Sequence, residues 1–474
     1  DTFFILWKNQ NKIDKEKSLS SYIAGIARNL VKEKLRKTKN NYNVNTLEND
    51  FFDIQIIDLE YENREKIEYG IDVLIENDKI KQIGKNINSE KSLNIIDASN
   101  KYVLPGFINT HAHIPMSIFR ESVDGYTTQD WLTQKIWPIE DKLEPDDIYK
   151  ASLLSCIEMI KTGTTTANDQ YFFTEDIIKA VIKTGVRCEL TRVVMDAGGG
   201  MEQRFLELEN LISNYNNKLN NIYISIGIHG LYTASKPCVQ KAINLAKKYN
   251  LNIHMHYLEN SKEITDISNN YNGITPYKIV NELFENTNSI FAHCVKLSNN
   301  DIEVFKKLNI KVAHCPISNL KLGCGIADIS KMIENDIIVS LGTDGQGSGS
   351  NLDMFETMKF TGLLQKGINE NPKLLPAYEI LKLATINGAK ALNKDNLIGS
   401  IEEGKLADLI ILDLSDIILQ PINDIFSDIV YNAKGTNVIT TIIGGNILME
   451  NRKLLNINEN EVIKDCTDIL NSKK

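Results

Sequence analysis

At 474 residues the chain is long enough for more than one domain, and its formal net charge of −9 argues against binding phosphate backbones over the whole surface. Its 42% hydrophobic and 24% charged residues are ordinary for a globular protein, and no apolar run approaches the roughly 18 residues that cross a bilayer, so no membrane contact is expected. Seven cysteines, an odd number with no CxxC pair, argue against a disulfide framework and for a reducing, cytoplasmic compartment.

Residues 1–66 read as a helical segment followed by a linker. Ile23, Ile26, Ala27, Leu30, Val31 and Leu35 recur at helical spacing, and Arg28, Lys32, Lys34, Arg36, Lys37 and Lys39 fall on the opposite face. A solvated amphipathic helix accounts for that pattern. The stretches 3–9 and 22–30, followed by the basic tail, also resemble part of region 2 of extracytoplasmic-function (ECF) sigma factors of the sigma-70 type, in the helices that read promoters. A complete factor carries a second DNA-binding module, and no later stretch looks like a helix-turn-helix. The segment is therefore read as a fused fragment or a gene-model join, with a sigma-like DNA-binding protein as the alternative of another class and nucleic acid not expected as the main partner.

From Ile71 the pattern turns to short strands: Asp72 to Glu76, Lys79 to Gly84 and Asn94 to Asp97. The same grammar returns in Ala407 to Asp413 and Val438 to Asn446, so residues 67–104 and 397–450 are expected to form one small discontinuous β-sandwich, with a helical tail over 451–474. Between them, in 105–396, strand-like segments alternate with helical ones, the signature of β-α units around a parallel sheet. The candidate strands are Val103–His111, Thr164–Asp169, Arg187–Arg192, Tyr223–His229, Asn252–His256, Ser289–His293, Lys311–His314 and Ile338–Asp344. Eight close a barrel, so the fold expected is α/β: a (β/α)8 TIM-like barrel with a small β-sandwich drawn from both ends. Most of these strands end in His, Asp or Arg, and in such barrels the C-terminal strand ends carry the chemistry.

The stretch Leu104-Pro105-Gly106-Phe107-Ile108-Asn109-Thr110-His111-Ala112-His113 ends in two histidines at positions i and i+2, which a strand points the same way. His256 ends another strand, and Asp344 ends the last. Three imidazoles and one carboxylate suit one divalent cation, Zn²⁺ first and Fe²⁺ second, over Ca²⁺ or Mg²⁺. His254, two residues before His256, is read as structural, and His314 as packing or support. The run Gly345 to Ser350 lacks the lysine of a nucleotide-triphosphate loop and is read as letting backbone pass close to a substrate.

From about residue 70 to the C-terminus the chain resembles the amidohydrolase superfamily. The resemblance rests on the 105–113 run together with His256-Tyr257-Leu258-Glu259, Ala292-His293-Cys294-Val295, the run from His314 to Gly323, and Gly342-Thr343-Asp344-Gly345. Within the superfamily it is most similar to the 5′-methylthioadenosine/S-adenosylhomocysteine deaminases. The resemblance implies a metal held by His111, His113, His256 and Asp344, which makes hydroxide available near neutral pH for attack on C6 of adenine. It implies that Glu259 moves a proton from water to the ring nitrogen, that His293 orients the water, and that Asp344 passes a proton toward the leaving ammonia. Among substrate contacts it implies Trp131 as a pocket wall, Glu140 for the ribose hydroxyls, His229 near the sugar, and Arg192 and Arg204 for the amino-acid carboxylate of S-adenosylhomocysteine.

The activity so implied is hydrolytic deamination of adenosine thioethers, with adenosine as a further substrate, to the inosine counterparts and ammonia. Deamination of guanine or another aminopurine and triazine-type dechlorination are the enzymatic alternatives. The partner is then a small purine nucleoside, and a homo-oligomer is compatible with the chain. Relatives open the sandwich with a strand that is here replaced by the sigma-like linker, which would leave a neighbouring edge uncovered.

Overall fold

The computed structural model describes residues 70–88, 92–122 and 124–473; the helical and sigma-like stretches of 1–66 lie outside the described residues. The strands β4 (Phe107–Ala112), β5 (Thr164–Tyr171), β6 (Arg187–Val194), β7 (Ile222–Ile228), β8 (Asn252–Tyr257), β9 (Asn288–His293), β10 (Lys311–His314) and β11 (Val339–Leu341) form one eight-stranded sheet in sequential order. Each neighbouring pair is parallel, for instance Gly227 beside His254 and His256 beside Ala292. The last strand returns to the first: Thr110 Oγ1 donates to Leu341 O at 2.9 Å, and Asp344 N donates to His111 O at 3.0 Å. This is the (β/α)8 barrel expected from the alternating pattern. Helices cover its outside, so nearly every position of these strands is buried, the polar ones in β5 (TTTANDQY) included.

The segment 103–111, expected as one strand, is two. β3 (Tyr102–Pro105) pairs antiparallel with β12 (Leu409–Leu412) in a second sheet, and β4 starts the barrel after Gly106. At the bend, Gly106 N donates to Asp408 O and Phe107 N to Gly163 O, both at 2.9 Å. A Cβ on residue 106 would lie 2.1 Å from Thr165 Cγ2, so only glycine lets the chain leave one sheet and enter the other here. The second sheet runs β15-β14-β13-β12-β3, with β13 (Val438–Ile443), β14 (Asn446–Glu450) and β15 (Lys453–Leu454). Its apolar face meets the hairpin of β1 (Asp72–Glu76) and β2 (Lys79–Gly84) through Val73, Ile75, Ile80, Val103, Leu409 and Ile442. Two further expectations change. Residues 94–97 form no strand, although Ile96 is still buried in this cluster, and the last barrel strand shrinks to Val339–Leu341.

A buried ion pair joins the two sheets. Arg187, at the start of β6, donates from Nε and Nη2 to both oxygens of Asp408 at 2.9 and 3.0 Å, with each side chain 3% exposed. The C-terminal helix Glu459–Lys473 lies along the helix Pro145–Thr162, tied by Lys161 to Glu459 at 2.6 Å and Lys473 to Asp147 at 3.0 Å. No described helix is long and apolar enough to cross a membrane.

Candidate metal centre and substrate cavity

The strand register brings His111, His113, His256, His293 and Asp344 to one end of the barrel, the end where β4, β8, β9 and β11 finish. His113 Nε2 lies 3.1 Å from Asp344 Oδ1, His111 Nε2 lies 3.4 Å from the same oxygen, and His256 Nε2 lies 3.3 Å from His113 Nε2. The opposite ring nitrogens are anchored: His113 Nδ1 to Gln170 O at 2.5 Å, His256 Nδ1 to His229 O at 2.7 Å, His293 Nδ1 to Asn319 Oδ1 at 2.9 Å and His111 Nδ1 to His254 Nε2 at 2.8 Å.

These partners assign the tautomers. A ring nitrogen facing a carbonyl must donate, so Nδ1 of His113 and of His256 carries the proton in each neutral ring, and Nε2 offers a lone pair. Two lone pairs facing each other at 3.3 Å repel unless a cation lies between them. His111 Nε2 is fully buried, with Asp344 Oδ1 as a polar neighbour 3.4 Å away. The donor set therefore fits a divalent cation of the zinc or ferrous type, with anchored imidazoles and a carboxylate as ligands.

Electrostatics agree with that fit. Burial lowers His111 to about 3 and His256 well below its ordinary value, which keeps both rings neutral. For Asp344 burial acts upward, but hydrogen bonds with His111 and His113 outweigh it and hold the carboxyl well below its usual range. His113 rises to about 9, because its hydrogen bond to Asp344 and that residue's charge overcome desolvation; a cation at this place displaces the proton. Asp344 itself adopts a left-handed φ of 62°, and its Oδ2 accepts from Ser318 Oγ at 2.6 Å and Ser348 Oγ at 2.7 Å.

Glu259 follows β8 on a turn in which Leu258 has φ 48°. The buried Glu263 holds that turn by accepting from Leu258 N at 2.9 Å and Glu259 N at 2.7 Å, and this leaves the Glu259 carboxylate at the cavity. Cys324 Sγ approaches Glu259 Oε1 at 3.5 Å.

The cavity above the cluster is walled by Trp131, Glu140 and His229 among the residues singled out from sequence, and by Tyr171, Phe172 and Tyr232 among those that were not. Trp131 is fixed by its Nε1 bond to Ser122 Oγ at 2.9 Å, His229 by Thr233 Oγ1 at 2.8 Å, and Glu140 accepts a short hydrogen bond from the Tyr171 hydroxyl. Burial raises Glu140 and lowers His229 to about 4.

Arg192 and Arg204 do not line this cavity: Arg192 is bound to Glu207 at 2.6 Å, and Arg204 donates to Met195 O at 2.7 Å. The glycines of 345–350 serve packing more than substrate. A Cβ on Gly345 would meet Met116 Sδ at 2.7 Å and one on Gly347 would meet Trp131 Cζ2 at 2.8 Å, while Ser348 reaches the cavity. Ser318 and Asn319 fall inside the quoted run from His314 to Gly323, which was the available signal for both. Tyr171 and Glu263 carried none.

A parallel eight-stranded barrel with imidazoles and a carboxylate convergent at its C-terminal strand ends presents a donor set that fits a divalent cation. The chain belongs to the amidohydrolase family, whose family model matches residues 102–448, and it is a hydrolase acting on carbon–nitrogen bonds. It is 44% identical over 405 residues to the 5′-deoxyadenosine deaminase of Methanocaldococcus jannaschii, covering 84% of this chain and 95% of that one. To the 5-methylthioadenosine/S-adenosylhomocysteine deaminase of Caldanaerobacter subterraneus subsp. tengcongensis it is 38% identical over 403 residues, covering 84% and 93%. Among solved structures, a zinc-bound adenosine deaminase from Xanthomonas campestris superposes with a TM-score of 0.85 at 24% identity, over 90% of this chain and 98% of that one, a likeness of fold.

Proposed function

We propose that the chain catalyses hydrolytic deamination of adenosine nucleosides altered at the 5′ position, namely the thioethers 5′-methylthioadenosine and S-adenosylhomocysteine together with 5′-deoxyadenosine. The reaction adds water at C6, expels the exocyclic nitrogen as ammonia and leaves the inosine counterpart. One observation carries this reading. A single cavity joins the cation-type cluster and the carboxylate of Glu259 to a wall bearing Glu140 and Trp131, an acid for hydroxyls and an aromatic for a flat base. The names of the relatives in Methanocaldococcus and Caldanaerobacter point the same way.

His111, His113, His256 and Asp344 would hold the cation, which when bound lowers the pKa of water toward neutrality and so supplies the nucleophile. Glu259, held by the backbone clamp of Glu263, takes the first proton from the water and returns it to the ring nitrogen beside C6. The Nδ1 of His293 is fixed by Asn319, which leaves Nε2 to accept from the attacking water and aim it. Asp344, supported by Ser318 and Ser348, takes the second proton and delivers it to the departing nitrogen. Trp131 and Tyr171 exclude bulk water from the base and sugar, and Glu140 accepts from the ribose hydroxyls.

An ammonia-release screen with metal analysis tests this. Turnover is expected for 5′-deoxyadenosine, 5′-methylthioadenosine and S-adenosylhomocysteine, weaker turnover for adenosine, and none for guanine or a chlorotriazine. Turnover confined to guanine or the triazine would replace the proposal by that activity.

A further inference from the structure

If Glu259 carries a proton from water to the ring nitrogen, as the deaminase reading requires, its carboxylate has to be held in one plane. Glu263 clamps the main chain at Leu258 and Glu259, which fixes where the Glu259 side chain starts and leaves its terminal torsion free. That torsion joins an sp³ to an sp² carbon and is soft, so a carboxylate with no partner of its own swings over a wide arc. A side-chain donor does reach it: Cys324 Sγ lies 3.5 Å from Glu259 Oε1.

The chain places that thiol with care. Cys324 follows the helix Pro316–Lys321, at a corner between Gly323 with φ 66° and Gly325 with φ 110°, and its N donates to Asn319 O at 2.8 Å. The side chain of the same Asn319 holds His293 Nδ1 at 2.9 Å, so one residue seats both the thiol and the imidazole that aims the water. The sulfur also lies 3.9 Å from Thr128 Oγ1, at the start of the helix Thr128–Trp131. Cys324 is buried and does not line the cavity, whereas Glu259 and Thr128 do, so the thiol meets the carboxylate without touching what fills the cavity. Burial first and the Glu259 charge second push this thiol up to about 12, so it keeps its proton and donates. A thiol is a weak donor; it orients a carboxylate without the strong charge-assisted hold of a guanidinium fork, which would blunt the acid as a base.

We propose that Cys324 is a positioning residue for the reaction, an inference that rests on the deaminase reading: its S–H donates to Oε1 of Glu259 and leaves Oε2 to take the proton from water and hand it to the ring nitrogen. The thiol proton stays on sulfur throughout.

The test is a double-mutant cycle in the metal-loaded full chain with 5′-methylthioadenosine. Cys324→Ala and Cys324→Val both remove the donor, the second while filling the thiol's place, and both are checked for melting temperature and metal content. Each is expected to lower kcat about tenfold with KM within about twofold of the parent. Cys324→Ser keeps a donor and should return kcat to within about threefold. In the Glu259→Gln background the same substitutions should change the residual kcat less than about twofold, because the carboxylate they orient is gone. An equal loss in both backgrounds, a loss confined to KM, or a serine variant as slow as the alanine one overturns the proposal. The infrared S–H stretch, assigned as the band that Cys324→Ser removes, reads the contact without turnover. It should lie at lower frequency in the parent than in Glu259→Gln, since an anionic acceptor draws the proton more strongly than an amide, and an unmoved band overturns the proposal. A moved band in a protein that deaminates no nucleoside would overturn the deaminase reading and leave the thiol–carboxylate contact standing.

Discussion

The chemistry of this protein is concentrated in a few side chains whose state is set by their partners. Glu259 is oriented by backbone hydrogen bonds to Glu263 and faces the cavity, so Glu259→Gln should keep its fold and its metal while lowering kcat by about a hundred- to ten-thousandfold. Metal content by elemental analysis beside kcat checks this; a kcat within tenfold of the parent would take Glu259 out of the proton path. His254 is a second case. Read from sequence as structural, it places Nε2 2.8 Å from His111 Nδ1, so that when His111 turns the lone pair of Nε2 to a cation, His254 is the acceptor for the proton on Nδ1. Replacing it by Phe keeps a ring and removes the acceptor, so metal affinity should fall about 10- to 100-fold in a chelator competition. Unchanged affinity would return His254 to a packing role.

Elements explain why those side chains converge. Each ligand-type residue sits at or just past a strand end, and parallel register lifts all of them to the same rim. The positions were legible because His111 and His113 share one strand spacing and His256 and Asp344 close segments that read as strands. The split at Gly106 was not legible, since nothing in the order of residues tells that Pro105 pairs with Leu409 while Phe107 pairs with Thr164. Nor was the loss of the strand at 94–97, where the apolar pattern reports burial of Ile96 without a pairing partner. The Arg187–Asp408 pair bolts the second sheet to the barrel. Asp408→Ala would leave a buried guanidinium unpaired and should cost about 3–5 kcal/mol in urea unfolding. A loss under 1 kcal/mol would show that solvent reaches Arg187 in the variant.

At the scale of the molecule, the side chains assigned to the site lie between positions 111 and 348, and the second sheet takes β3 from one side of the barrel and β12 to β15 from the other. Removing residues 1–60 should therefore leave kcat/KM within about twofold, and a gel shift with promoter DNA at physiological salt should show no selective complex. A truncated chain that folds, binds metal and yet fails to turn over substrate would place part of the machinery in that segment.

The sequence by itself determined the barrel, the family and the residues gathered at its rim, because β-α alternation and strand-terminal ligand motifs are local patterns that need no knowledge of neighbours. Only the tertiary structure decided what those residues bond to. It set the tautomers of His113 and His256 through carbonyls of Gln170 and His229, the support of Asp344 by Ser318 and Ser348, and the capture of Arg192 by Glu207. The physical reason is range. A motif records which groups are present, whereas protonation, orientation and charge balance depend on atoms within about 3 Å that come from distant parts of the chain.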